Sequence, residues 1–195
     1  MLTDFLRTRW LSWNLYRRKR GDSAALGRLY RLRDPWGLNS PVERFRFQET
    51  ARIIRETIGD RLPSLFEIGC GEGLQTRYLA PLTERLLAID PSMRAIARAR
   101  AEGIANATFE PGDLLTYDCR DCFTLVTACE VVYYLDDLER VYQRLSHLAE
   151  VCIVTYYWGA YDRLDPFFRA KSVTTRTISH PSSEWRLVCW HSSGH

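Results

Sequence analysis

The sequence predicts an α/β fold: a Rossmann-like sheet of about seven strands, parallel with an antiparallel edge strand, and helices on both faces. Three observations predict it. Short apolar runs at 65–68, 86–89, 107–109, 123–128 and 151–156 are bounded by turn residues, the pattern of strands buried on both sides. Helical segments separate them, and strands alternating with helices build a parallel sheet. Glycines 69, 71 and 73 follow the first run and precede a helix, where open α/β sheets admit a ligand.

Each element has its own signal. Asp34–Ser40 (DPWGLNS) is turn punctuation. Ser40 and Glu43 then form a capping box around Pro41, the favoured first helical position, and Gly59 supplies the stop. Val42, Phe45, Ile53, Ile54 and Ile58 give this helix an apolar side. Leu65–Ile68 is the first strand, a helix occupies about 74–80, and Leu86–Ile89 is the second strand. Pro91 opens an Ala-rich helix over 91–102, which Gly103 closes. Ala107–Phe109 runs on to Asp113 as the third strand, and Phe123–Ala128 is the fourth. Asp136 caps the next helix, with Glu139 three residues on and Leu138, Val141, Tyr142, Leu145 and Leu148 along one face. Val151–Tyr156 is the fifth strand. Beyond 157 a short helix near 160–170 and strands near 173–178 and 185–190 either complete the sheet as an antiparallel pair or shape an acceptor pocket.

Composition sets the class. With 195 residues the chain is one domain with a small appendage, and 46% hydrophobic residues support a folded core. No run approaches the roughly 18 apolar residues of a membrane span. Arg7, Arg9 and Arg17 interrupt any signal-peptide core, so a cytoplasmic location is expected. Of the six cysteines only Cys119 and Cys122 form a C-x-x-C, with no second pair at zinc spacing, and no metal is expected. The net charge of +3 is unevenly placed: residues 1–33 hold nine basic side chains against Asp4 and Asp22. That segment is read as a basic helical extension that either solvates its arginines while packing its aromatics, the favoured reading, or touches an anionic membrane surface or partner. Residues 34–195 form the domain: a lid and first helix over 34–62, and an α/β core over 63–195.

The glycine cluster carries the chemistry. Gly69 and Gly71 let a ligand approach the backbone, and Asp90 ends the second strand, where an acid accepts hydrogen bonds from ribose hydroxyls. A dinucleotide fingerprint beginning at Gly69 needs glycine at 74, where Leu74 stands. Glu67 moreover puts a carboxylate where a pyrophosphate would sit, and like charges repel. A nucleoside carrying an ammonium and no phosphate fits better; S-adenosylmethionine is such a molecule.

Glu67-x-Gly69-x-Gly71-x-Gly73, Asp90, and Gly112-Asp113 after the third strand together resemble the motifs of class I S-adenosylmethionine-dependent methyltransferases, over roughly residues 34–157. The resemblance implies that Glu67 faces the methionine ammonium and that Asp90 clamps the ribose, with Pro91 and Met93 flanking the adenine. It also implies that Asp113 reaches the adenine amino group, that Leu114 gives it backbone and apolar contact, and that Glu130 lies beside the cofactor. A narrower resemblance, on DPWGLNSPVERFRF and ACEVVYYLDDL, is to the nodulation protein S group, whose members methylate an amine of a de-N-acetylated chitin oligosaccharide. By that likeness Trp36 is a lid residue; the bland alternative is a core plug. Tyr133, Tyr134 and Tyr157 follow strand ends and either line an acceptor pocket or pack.

The expected function is methyl transfer from S-adenosylmethionine to a small-molecule acceptor, including the amine of a sugar or oligosaccharide, with S-adenosylhomocysteine released. Glu130 and Tyr133 are the candidates to hold or deprotonate the acceptor. The alternatives are a non-catalytic, cofactor-binding or partner protein of the same fold, and an NAD-dependent oxidoreductase. Nucleic acid is not an expected acceptor, because Glu130-Val-Val-Tyr133 stands where DNA amino-methyltransferases resembling this class carry an Asn/Asp-Pro-Pro-aromatic run.

Overall fold

The computed structural model describes residues 24–192; most of the basic extension lies outside the described residues. The elements run α1 (Ala24–Leu29), α2 (Pro41–Thr57), β1 (Leu62–Ile68), α3 (Thr76–Leu79), β2 (Thr83–Asp90), α4 (Met93–Ala101), β3 (Ala107–Pro111), β4 (Phe123–Cys129), α5 (Leu138–Leu148), β5 (Ala149–Tyr157), α6 (Tyr161–Arg169), β6 (Thr174–His180) and β7 (Ser183–His191). The seven strands form one sheet in the order β3-β2-β1-β4-β5-β7-β6. The first five are parallel; β7 runs against β5, and β6 against β7. The chain therefore leaves β1 toward one edge and returns at β4 on its other side. The crevice beyond the carboxyl ends of β1 and β4 is the ligand position of such sheets.

Alternation along the strands divides the interior in two. Leu65, Leu125, Ile153 and Leu187 point to the face covered by α2 and α4, which contribute Ile53, Ile54, Ile96 and Ala99. Phe66, Val126, Val154 and Val188 point to the other face, against Leu145 of α5 and Leu164 and Phe168 of α6. Consecutive residues on one strand thus serve opposite cores, which is why the central strands read as mostly apolar runs. Burying each such side chain stabilises by about 1.5–3 kcal/mol.

Three boundaries differ from the sequence reading. The cap of α5 is Asp137, whose carboxylate accepts from Arg140 N at 3.0 Å, not Asp136. The helix begins one residue later, and an N-cap bonds the N–H three residues beyond itself. α4 begins at Met93 and not at Pro91, with Ser92 as its cap accepting from Ala95 N. The helix over 74–80 shrinks to Thr76–Leu79 and tightens into a 3₁₀ turn over Ala80–Leu82, where Pro81 has no N–H to continue the ladder. Only half of the capping box on α2 forms: Ser40 accepts from Glu43 N at 3.3 Å, while the Glu43 carboxylate turns toward Arg46.

Candidate active site

The crevice holds a cavity of about 370 Å³. Its floor is Glu67, next to last in β1 and 4% exposed. Thr76 Oγ1, at the start of α3, donates to its carboxylate at 2.6 Å. Burial lifts the carboxyl to about 7, opposed by the Thr76 bond and by the charge of Arg46, and reinforced by Asp90.

Arg46 reaches the site from α2 and is 1% exposed. Its guanidinium donates to Glu43 Oε2 at 2.8 Å and to Gln75 Oε1 at 3.0 Å. Burial opposes its charge, and the Glu130 and Glu43 carboxylates sustain it. Three buried polar atoms find no partner among the described residues: Gln75 Nε2, Thr50 Oγ1 and Thr127 Oγ1. Gln75 is bonded to Arg46, Thr50 stands one helical turn from it, and Thr127 is in register with Glu67, so the three belong to one polar region between α2 and the sheet.

Above the floor the glycine loop needs its glycines. Gly69 has φ of 73°, and a Cβ there would collide with Val131 at the end of β4. At Gly71, φ 55°, a Cβ would stand 3.0 Å from the Tyr30 hydroxyl. The Gly71 N–H donates to Asp90 Oδ2 at 3.1 Å, and Ser92 N donates to Oδ1 at 2.8 Å. The acid at the end of β2 thereby fixes the loop it faces.

Residues 29–39 lie over this loop. Tyr30 and Trp36 line the cavity, and Trp36 Nε1 donates to the Tyr30 hydroxyl at 3.2 Å. Glu72 of the glycine loop accepts from Asp34 N and pairs with Arg98 of α4. Arg98 in turn donates to the carbonyls of Tyr30 and Leu32, at 2.9 and 2.7 Å. The cover is tied down through its backbone.

The opposite wall follows β4 and β5. Glu130 adopts φ of 60°, a left-handed conformation that a non-glycine residue holds only where the surroundings impose it. Its carboxylate accepts from Thr155 Oγ1 at 3.0 Å and Tyr133 Oη at 3.2 Å. Burial raises its pKa, while Arg46 and the two hydroxyls lower it. The Tyr133 ring touches Tyr134 at 4.4 Å and Tyr157 at 5.2 Å between centroids, and Tyr134 meets Trp36 at 5.8 Å.

Glu67, Gly69, Gly71, Asp90, Pro91, Glu130, Tyr133, Tyr134, Tyr157 and Trp36 thus line one cavity. Met93, Asp113 and Leu114 do not. Met93 is 74% exposed at the start of α4. Asp113 folds its own turn, accepting from Leu115 N at 3.0 Å. Leu114 is buried in the core against α5. The cysteine pair also lies elsewhere: Cys119 and Cys122 are free thiols. Among the described residues no group of His, Cys, Asp or Glu has the makings of a metal site, and no helix is long and apolar enough to cross a membrane.

The family model for nodulation protein S matches residues 19–155. The chain belongs to the nodulation protein S family. Its curated relatives include the nodulation protein S of Bradyrhizobium diazoefficiens, 32% identical over 121 residues, and that of Sinorhizobium fredii, 28% identical over 121 residues. These matches cover 60% of this chain but only 57% and 55% of the relatives, so the chain spans little more than half their length. The fold is that of class I methyltransferases. It superposes on the N-methyltransferase NodS from Bradyrhizobium japonicum WM9 in complex with S-adenosylhomocysteine with a TM-score of 0.69, at 22% identity, over 92% of this chain and 99% of that one. It also superposes on the magnesium protoporphyrin IX methyltransferase of Synechocystis PCC 6803 with a TM-score of 0.63, at 16% identity, over 81% and 85% of the two chains.

Within this nodulation protein S framework, Arg46, Gln75 and Tyr30 are cavity residues that sequence reasoning missed. Arg46 had a signal: it falls on the same side of α2 as Val42 and Thr50, one turn away in each direction, where an arginine needs an acid partner inside the fold. Tyr30 had none, since only the folding of residues 29–39 over the glycine loop brings it in.

Proposed function

We propose that this chain is an S-adenosylmethionine-dependent N-methyltransferase whose acceptor is the amine of an amino sugar or its oligosaccharide. One observation carries the reading: a buried carboxylate, Glu67, lies under the glycine turn in the same cavity as Asp90. A cation above Glu67 offsets the burial that holds its proton, whereas a pyrophosphate would deepen the repulsion. The donor set suits the rest of the molecule: Asp90 for ribose hydroxyls, and Arg46 with the orphaned amide of Gln75 for a carboxylate.

When bound, the cofactor supplies an electrophilic methyl group on a sulfonium. The protein's part is alignment and exclusion of water. Tyr30 and Trp36 cover the nucleoside side. Glu130 stands at the end of β4, fixed by Thr155 and Tyr133, where it orients the acceptor nitrogen by accepting its N–H and takes up the proton the amine sheds. Tyr133 donates to Glu130, which leaves its oxygen lone pairs to accept a second N–H. Burial and the neighbouring Glu130 charge keep that hydroxyl protonated. Tyr134 and Tyr157 offer ring faces to the sugar.

The test is transfer of labelled methyl from S-adenosylmethionine to glucosamine and its β-1,4-linked oligomers, with calorimetric binding of S-adenosylhomocysteine in parallel. Binding with turnover supports the reading. Binding without transfer to any amine favours a non-catalytic cofactor-binding protein, and a thermal shift with NAD in place of S-adenosylhomocysteine favours an oxidoreductase.

A further inference from the structure

We infer that Trp158, with the outer face of Tyr157, forms a second saccharide subsite outside the reaction cavity, so that the acceptor is recognised as a chain of sugars. The inference rests on the amino-sugar reading above and adds an element to it.

Aromatic rings run in unbroken contact from the catalytic carboxylate to solvent. Tyr133 bonds Glu130, its ring meets Tyr157 edge-on at 5.2 Å, and Tyr157 meets Trp158 at 6.3 Å. Tyr157 lines the cavity and is 39% exposed; Trp158 lies beyond the cavity and is 63% exposed. Among the described residues Trp158 packs on Tyr157 and leaves most of its apolar surface open beside the half-exposed Tyr157 ring, and contiguous apolar surface at a polar site marks a binding surface.

The ledge is rigid. Trp158 opens the 3₁₀ turn Trp158–Ala160 between β5 and α6. At Gly159 a Cβ would collide with the Tyr157 ring, so the bare glycine lets that phenol lie where it does. Arg163 of α6 donates to the carbonyls of Tyr133, Leu135 and Asp136, fastening the Tyr133–Tyr134 turn to the helix that follows the ledge. Inner and outer rings are therefore held in one frame, as a subsite on a rigid ligand needs.

The chemistry fits an amino sugar chain. A pyranose presents a face of C–H groups that stacks on a ring while its hydroxyls stay in water at the rim. A protonated amine on an outer sugar gains further from the indole face. In this reading the inner sugar, with its amine at Glu130, takes only the Glu130 end of the cavity, and a following sugar lies over Trp158.

The experiment compares steady-state methylation of glucosamine with that of its β-1,4-linked tetramer, in the wild type, Trp158→Ala and Trp158→Phe. Expected is a KM for the tetramer raised about tenfold in Trp158→Ala, the scale that uncovering roughly 50 Å² of apolar contact gives. The kcat and the KM for glucosamine should stay unchanged, and Trp158→Phe should recover most of the loss. A tetramer-to-monomer KM ratio unaltered in Trp158→Ala, or a rise shared equally by both acceptors, overturns the subsite while leaving the methyltransferase reading intact. A wild type that methylates neither sugar overturns the acceptor reading and the subsite with it.

Discussion

The two ends of the cavity are built on different principles. At the glycine-loop end, the contacts that shape the site run between neighbouring turns: Asp90 holds Gly71 and Ser92, and Glu67 is met by Thr76 a few residues downstream. At the Glu130 end, the carboxylate depends on Thr155 from the next strand and on the charge of Arg46 from a helix far back in the chain. The rings beside it come from three separate segments. The glycine turn itself is therefore set within the β1–β2 unit, and the Glu130 wall by the whole packed domain. Arg46 lies between them, facing Glu67 and Glu130 at once.

That position makes Arg46 the most damaging site to alter. Arg46→Ala removes a buried cation from beside Glu43, Glu67 and Glu130, and should lower the unfolding free energy by about 3 kcal/mol or more. Urea denaturation measures it; a loss below about 1 kcal/mol would show that the two ends do not share this residue.

Glu67 comes next, through its dependence on pH. Its carboxyl is lifted by burial to about 7 in the folded protein, against an unfolded value near 4.5. Between those values the folded state keeps a proton that the unfolded chain has released. Stability therefore falls as pH rises through the window, by about 3 kcal/mol when complete. Glu67→Gln carries no such proton, so its stability relative to the wild type should climb from pH 5 to pH 8. A constant difference between the two denaturation curves would remove the electrostatic argument for the floor.

Asp90→Ala is expected to weaken S-adenosylhomocysteine binding by about 1–3 kcal/mol, through lost charged hydrogen bonds to the ligand and the slackened Gly71 turn. Titration calorimetry reads it, and affinity equal to the wild type would separate Asp90 from the ribose. The smallest effect belongs to Tyr133→Phe. Glu130 keeps its Thr155 donor at 3.0 Å, so stability should fall by about 0.5–1.5 kcal/mol. The kcat should fall without a matching change in cofactor affinity; a fall in S-adenosylhomocysteine affinity instead would tie Tyr133 to the glycine-loop end.

The same contrast explains which parts of the molecule could be read from the chain. The central strands β1, β4 and β5 announced themselves because each is buried over nearly its whole length and so reads as a largely apolar run. That Gly69, Gly71 and Asp90 lie together on one cavity was readable because a strand-to-helix turn compresses its requirements into a few adjacent positions. The cap of α5 was misplaced by one residue because Asp136 and Asp137 are equivalent in type, and only the course of the backbone chooses between them. Asp113 and Leu114, placed near the adenine by family likeness, line no part of the cavity; one turns the backbone and the other fills the core. Tyr30 carries no local pattern that marks a site, whereas Arg46 shows only as an arginine on the buried side of α2, with nothing in the chain to say which acids it meets.

By itself the sequence determined the order of strands and helices and the position of the crevice, with Glu67 and Asp90 in it. Those follow from short-range rules: side-chain alternation and turn chemistry. The tertiary structure alone decided that Arg46 stands between the two acids, that residues 29–39 close over the glycine loop, and that rings from separate segments run out to Trp158. Long-range packing sets such contacts, and the side chains involved look the same in sequence whether they meet or not.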